Sequence, residues 1–364
     1  MSQELFVGLM SGTSLDGVDA VLADLSTTRP RLLADAYRPF GESLRAELLA
    51  LNTAGADELA RAALAGNALA AVYAEATRDV LASAKADAAQ VRAVGCHGQT
   101  VRHRPERGYT IQLGNAALLA ELAGIAVVSD FRSRDVAAGG QGAPLVPAFH
   151  AAVFADPGEA RAALNLGGIA NLTILPRSGA VRGFDCGPGN CLLDLWARRH
   201  LGAPYDDAGQ WGATGAVMPD LLARMLAEPY FAAPPPKSTG RDLFHAGWLE
   251  AMLHGGEEPR DVQATLLELT AHSASQALLS VAPESRRVIV CGGGAHNLAL
   301  MRRLESLLAP RPVQPSTPYG LAPGQVEAAA FAWMAKQALD GLASSLASVT
   351  GARGNRRLGA IYPR

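Results

Sequence analysis

Four stretches of this 364-residue chain carry residue types that could do chemistry. The first is GLMSGTSLDGVD (8–19), where Ser11, Gly12, Thr13 and Ser14 lead to Asp16 between two β-like apolar runs, Leu5 to Val7 and Val18 to Leu25. Small and hydroxyl residues in a tight hairpin turn their amides toward an anion, which is phosphate-handling chemistry. The second is FDCGPGN (184–190), which puts Asp185 at the end of a short strand, in a glycine and proline turn before a helix N-terminus. A carboxylate there is held rigidly and close to a ligand. Asp185 or Asn190 as a plain helix cap is the competing explanation, but a cap needs no three turn residues around it.

The third stretch is the strand Arg287 to Cys291 followed at once by Gly292-Gly293-Gly294-Ala295-His296-Asn297 and a helix to Leu308. Backbone without Cβ can lie flat against a base or sugar. The fourth is CHGQT (96–100), with His97 and Gln99 at the C-terminal edge of a short buried strand, where α/β sheets bind ligands. A lone histidine is as readily structural. The charged run SDFRSRD (129–135) puts Arg132 or Arg134 toward a cleft, or toward solvent. Lys237 and Arg241 in PPPKSTGRD (234–242) read as exposed, and Glu327 sits in a first helical turn, which the macrodipole alone favours.

These residues need a scaffold of alternating strands and helices. After the opening hairpin, Arg31 to Phe40 reads as a third strand, so the chain opens as a mixed sheet and not as a Rossmann βαβ unit. Ala56 to Lys85 carries apolar residues at helical spacing. Tyr109 to Leu113 and Ile125 to Val128 are further strands around the helix Asn115 to Ala123. The segment 138–147 is turn-rich and joins domains. Beyond it the pattern restarts: ALNLGGIANLTIL (163–175) is again strand, turn at Gly167-Gly168 and strand, with Asn165 and Asn171 bracketing the turn. Helices follow over Cys191 to Leu201, Ala216 to Ala227, Pro259 to Val281 and Pro323 to Leu339, with a last short strand at Leu358 to Tyr362. Two α/β domains result, 1–135 and 136–344, with the tail 345–364 assigned to the first.

Composition limits the function. The net charge is −2 with both signs interspersed, which gives a nucleic-acid or membrane-surface role no support and makes a small molecule the default substrate. Four cysteines, Cys96, Cys186, Cys191 and Cys291, form no CxxC pair, which argues against zinc and for reduced thiols. The N-terminus lacks a secretory pattern and no stretch offers about 18 uninterrupted apolar residues, so a cytoplasmic location is expected.

The order of these features along two similar halves resembles the actin-like ATPase superfamily of sugar kinases, acetate kinase and the seventy-kilodalton heat-shock proteins. The strings GLMSGTSLDGVD, CHGQT, SDFRSRDVAAGGQGAPLVP, NLGGIAN, FDCGPGN, PPPKSTGRD, CGGGAHN and EAAAFAWMA together resemble the anhydro-N-acetylmuramic acid kinase family, from residue 6 to about residue 340. That resemblance implies a two-domain actin-like ATPase (ribonuclease H-like) fold with an interdomain ATP cleft. The reaction it implies joins 1,6-anhydro-N-acetylmuramic acid, ATP and water to give N-acetylmuramic acid 6-phosphate and ADP, in cell-wall recycling.

Carried onto this chain, the resemblance makes Gly12, Thr13, Ser14, Leu15, Asp16, Gly17, Val18 and Asp19 the ATP hairpin, with Asp16 orienting hydrated Mg²⁺. Asn165, Gly167 and Gly168 would form its partner hairpin, and Gly292, Gly293, Gly294 and Asn297 would line the adenosine. Asp185 would be the catalytic base and Glu327 would help place the water. Arg132 falls in the substrate-contacting run, with His97 and Gln99 beside the substrate. A homodimer is expected. An ordinary hexosamine or acetate kinase, in which Asp185 deprotonates a hydroxyl, is the alternative enzyme. An ATP-gated binding module is the alternative of another class, but few residues remain for a separate peptide-binding domain.

Overall fold

The computed structural model describes residues 3–364 apart from 13, 28 and 241, so Thr13 and Arg241 lie outside the described residues. The chain forms two compact units. One comprises the residues up to Val153 together with Gln325–Arg364, and the other is Phe154–Gly324.

The first unit is built on a six-stranded sheet of β1 (Leu5–Met10), β2 (Gly17–Asp24), β3 (Arg31–Pro39), β4 (Val91–Cys96), β7 (Val127–Ser129) and β13 (Ala360–Tyr362). A separate hairpin pairs β5 (Gln99–Arg104) with β6 (Tyr109–Leu113). The sheet order is β13-β7-β4-β1-β2-β3. β1, β2 and β3 form an antiparallel meander, while β4 and β7 run parallel to β1 and to each other.

The second unit repeats that plan with β8 (Arg161–Leu166), β9 (Ile169–Leu175), β10 (Arg182–Pro188), β11 (Arg287–Cys291) and β12 (Val313–Pro315) in the order β10-β9-β8-β11-β12. Again three strands meander and two add in parallel. The duplication expected from the two glycine hairpins is a duplication of topology, and each unit has the ribonuclease H-like order of the actin-like ATPases.

Burial follows the periodicity. The long helix Glu58–Ala84 turns Leu69, Tyr73, Ala76 and Val80 into the first core, and Pro259–Val281 turns Val262, Leu266, Leu269 and Leu278 into the second. The expected boundary at 135/136 is displaced, because residues 136–153 and 325–344 belong with the first unit. The reason is local packing. The helix Val326–Leu339 lies on β1, β2 and β4, and a Cβ built on Gly8 would stand 1.9 Å from the Ala328 carbonyl oxygen, one on Gly95 2.0 Å from that of Phe331. Trp333 of the same helix meets Phe149 of the helix Val146–Phe154 at 5.9 Å between ring centroids.

A methyl group at either glycine must push the helix off the sheet. Gly8→Ala and Gly95→Ala are expected to cost about 2–3 kcal/mol each, read as lowered denaturation midpoints. Gly66→Ala, where a Cβ meets nothing nearer than 3.7 Å inside a helix, should instead stabilise by about 0.5–1 kcal/mol. Equal effects at all three positions would refute this account of the packing.

Candidate active site

In the first unit, the turn between β1 and β2 is held from three sides. The Leu15 amide donates to the Gly12 carbonyl at 3.3 Å, and Gln99 Nε2 donates to the same oxygen at 3.0 Å. Ser11 Oγ donates to the Gly98 carbonyl at 3.2 Å and meets the Tyr73 hydroxyl at 2.7 Å. Leu15 has a left-handed backbone, φ 57°, a conformation costly for a residue with a Cβ and kept here by burying its side chain. Leu15 and Val18 both point into the core, so only their backbone can serve a nucleotide. Ser14 Oγ donates to Asp16 Oδ1 at 2.6 Å, and the Asp16 side chain is exposed.

Carboxylates crowd this end of the sheet. The charges of Asp16, Glu327 and Asp35 act on Asp19, and together with the packing around it they raise its carboxyl to about 7, packing being the larger cause. Asp19 keeps solvent contact, so water screens part of that repulsion. Glu327 reaches the cluster from the first turn of the Val326–Leu339 helix. Oxygen-only donors under mutual repulsion suit a hard divalent cation. Among the described residues no three metal-ligating side chains converge on one point.

His97 and Gln99, expected beside the substrate, are both buried and engaged by neighbours. His97 Nε2 accepts from Arg132 Nε at 3.0 Å and Nη2 at 2.9 Å, and its ring leans on Phe331 at 4.8 Å. Burial, then the adjacent guanidinium, lowers the imidazole to about 3, so it stays neutral and its proton rests on Nδ1. Arg132 Nη1 donates to the Gly142 carbonyl at 2.6 Å. Arg132 is half-buried and Arg134 is exposed, which separates two arginines that the sequence could not.

In the second unit, Asp185 lies within β10 at a bulge between Asp185 and Gly187. It is in register with Asn171 of β9, and Asn171 with Asn165 of β8, so the three polar side chains share one face of the sheet. A second segment clamps it. The Thr239 amide donates to Asp185 Oδ2 at 3.0 Å, the Asp185 amide donates to the Lys237 carbonyl at 3.2 Å, and the Tyr230 hydroxyl donates to the Asp185 carbonyl at 2.7 Å. Lys237, expected at the surface, is half-buried. Its Nζ donates to the Tyr230 and Phe231 carbonyls at 3.0 and 3.2 Å and lies 4.7 Å from the centre of the Tyr230 ring. Burial lowers its ammonium pKa.

The Gly167-Gly168 turn is interlocked with this strand end. The amides of Gly189 and Cys191 donate to the Gly168 carbonyl at 3.0 and 3.1 Å, and that of Asn190 to the Gly167 carbonyl at 2.8 Å. The three glycines of the 292–294 run have different surroundings. A Cβ on Gly292 would stand 2.6 Å from Asn165 Oδ1, and one on Gly294 2.6 Å from Leu166 Cβ, so both are packing glycines. Only Gly293 is exposed with space around it. Asn297 Oδ1 accepts the Leu300 amide at 3.0 Å and caps the helix Leu298–Leu308. The contact of Tyr230 with Asp185 emerges only in the structure, whereas Asn171 is marked in the sequence by its place beside the turn and Thr239 by the PPPKSTGRD string.

The raised Asp19 carboxyl gives a pH signature. Above about 7 it is ionised in the folded protein against repulsion, and below about 4 it is protonated in both folded and unfolded chains. Asp19→Asn should therefore raise stability at pH 8, with the gain fading as pH falls from about 7 to 4, in denaturant titrations of both proteins. A gain independent of pH would contradict the charge cluster.

Comparison with known proteins places this architecture. A family model described as Anhydro-N-acetylmuramic acid kinase matches residues 4–364. An anhydro-N-acetylmuramic acid kinase of Variovorax paradoxus is 58% identical over 374 residues, covering 100% of both chains. One from Bordetella petrii is 59% identical over 365 residues, covering 99% of this chain and 96% of the relative. Among solved structures, component A of the Acidaminococcus fermentans (R)-2-hydroxyglutaryl-CoA dehydratase shares the fold at 14% identity and TM-score 0.50, covering 91% of this chain and 98% of that one. With a match over nearly every residue and relatives well above half identical along their whole length, the chain belongs to the anhydro-N-acetylmuramic acid kinase family.

Proposed function

We propose that this protein is an ATP-dependent kinase that hydrolytically opens 1,6-anhydro-N-acetylmuramic acid and phosphorylates it at O6, yielding N-acetylmuramic acid 6-phosphate and ADP for peptidoglycan recycling. Membership of the family along residues 4–364 carries this reading, and the restraint on Asp185 supports it. Phosphoryl transfer requires mainly positioning and charge neutralisation. The β1–β2 turn around Gly12 to Asp19 takes the phosphates, with Gly167 and Gly168 as the second hairpin and Gly293 on the adenosine side. When bound with the nucleotide, Mg²⁺ neutralises phosphate charge, and Asp16 would hold it through water.

Asp185 is the base. A water oxygen bonds to the anomeric carbon as the bond from that carbon to O6 breaks, and Asp185 Oδ takes the proton that the water loses. O6 accepts the γ-phosphoryl group as the bond from γ-phosphorus to the bridging oxygen breaks, which releases ADP. Capture of O6 by phosphorus takes the place of a general acid. Glu327 helps place the water and Arg132 contacts the sugar. His97 and Gln99 act behind the surface, one on Arg132 and the other on the Gly12 carbonyl. A homodimer in the cytoplasm completes the proposal. No helix among the described residues is long and apolar enough to cross a membrane, and light scattering of the purified protein reads the assembly.

Labelled water separates this reaction from an ordinary sugar kinase. ¹⁸O should enter the anomeric position of the product, and its absence with turnover intact would leave a kinase that consumes no water. Asp185→Asn should lower kcat by at least about 10²–10⁴-fold while nucleotide still binds by calorimetry. Normal turnover in that variant would remove Asp185 from the chemistry. Asp16→Ala should raise the Mg²⁺ concentration needed for half-maximal rate, and an unchanged metal response would move that role elsewhere.

A further inference from the structure

The geometry points to the C-terminal segment as part of the acceptor-sugar site of the first unit, with Asp135 and Thr350 as positioning residues that set the guanidinium of Arg132. This rests on the reading of Arg132 as a sugar contact. Asp135 is 0% and Thr350 1% exposed, so neither can touch a ligand. They are nevertheless joined to Arg132 by consecutive hydrogen bonds. Thr350 Oγ1 donates to Asp135 Oδ1 at 2.8 Å, and the Gly142 amide donates to Asp135 Oδ2 at 2.8 Å. The carbonyl of that same Gly142 accepts from Arg132 Nη1 at 2.6 Å. From the other side, Arg132 Nε and Nη2 donate to His97 Nε2. The guanidinium plane is thus fixed between a neutral imidazole and a peptide whose own position depends on Asp135.

The C-terminal segment is attached to this loop at two further points. The Gln141 amide donates to the Thr350 carbonyl at 2.7 Å, and the Arg353 amide donates to the Ala138 carbonyl at 2.9 Å. One carboxylate therefore gathers two pieces of chain that lie 215 residues apart. Its two oxygens each receive a donor, and an amide side chain keeps only one acceptor, so it must either oppose the Gly142 N–H with its own N–H or reverse the bond to Thr350. Gly142 has a left-handed backbone, φ 66°, and a Cβ there would stand 2.8 Å from Val136. The peptide that links Asp135 to Arg132 has little freedom to adjust.

Steady-state kinetics of the full chain tests the inference through the split between KM and kcat. Thr350→Val keeps the shape and loses the hydroxyl, so it should raise KM for the anhydro sugar about tenfold and leave KM for ATP unchanged. Thr350→Ser, which restores the hydroxyl, should return the sugar KM toward wild type. In an Arg132→Ala background, Thr350→Val should have no further effect on the sugar KM, since it acts through the missing guanidinium. An unchanged sugar KM in Thr350→Val, or an equal increase with and without Arg132, would overturn the inference while leaving the role of Arg132 standing. A wild-type sugar KM in Arg132→Ala alone would instead remove that role, and the inference with it. Should Thr350→Val not fold, Asp135→Asn takes its place in the same cycle with the same expected and refuting outcomes.

Discussion

Backbone against backbone at Gly8 and Gly95 is the contact on which the first unit depends. Two strands and a helix carbonyl row approach closer there than any side chain allows. The interface is completed by small residues, Ala328, Ala329, Ala332 and Ala335, all fully buried. Such a joint is rigid because nothing in it has a rotamer to change. Functional groups are placed along its length: Glu327 enters the carboxylate cluster at one end, Phe331 supports His97 and Phe131 in the middle, and Lys336 meets Glu4 at 2.6 Å at the other. The alanine-rich string EAAAFAWMA is thus a packing sequence that carries one acid into position.

The second unit uses the same strand order to a different end. In the first sheet, the acids stand in and just after the turn between the first two strands. In the second, the corresponding turn has no acid, and its carbonyls instead receive the amides of the strand end behind Asp185. The packing of Gly292 and Gly294 on Asn165 and Leu166 adds a fourth segment to that knot. One topology therefore supports two kinds of site, because the loops differ while the sheet that sets their spacing does not.

Much of the fold was readable in the sequence where order is local. Period-two and period-3.6 patterns gave the hairpins at 5–24 and 161–175 and the helices Glu58–Ala84 and Pro259–Val281. The short helix Glu42–Ala50 buries only Leu48 and so left no periodic trace. The boundary at 135/136 was misplaced because the helix that returns to the first sheet is read from a match of shape between glycines and alanines far apart in the chain. Site residues are legible as types, while the partners of their polar atoms are not. His97, Gln99 and Lys237 take partners across 35, 87 and 6 or 7 residues, and a string of letters does not show whether a polar atom faces a ligand or a neighbour. The elevated Asp19 carboxyl has the same origin, since one of the charges acting on it comes from Glu327.

The 237–239 segment has a second effect besides holding Asp185. β10 is the outer strand of its sheet, with β9 on one side only. An outer strand offers unpaired N–H and C=O groups to any other chain, a hazard for self-association. Here the Asp185 amide on that margin is taken by the Lys237 carbonyl. Three prolines, Pro234, Pro235 and Pro236, precede the covering segment, and prolines have no N–H with which to continue a ladder. The segment that clamps Asp185 therefore also ends the sheet, and a change that loosened this cover would free the carboxylate and open the strand margin to self-association together.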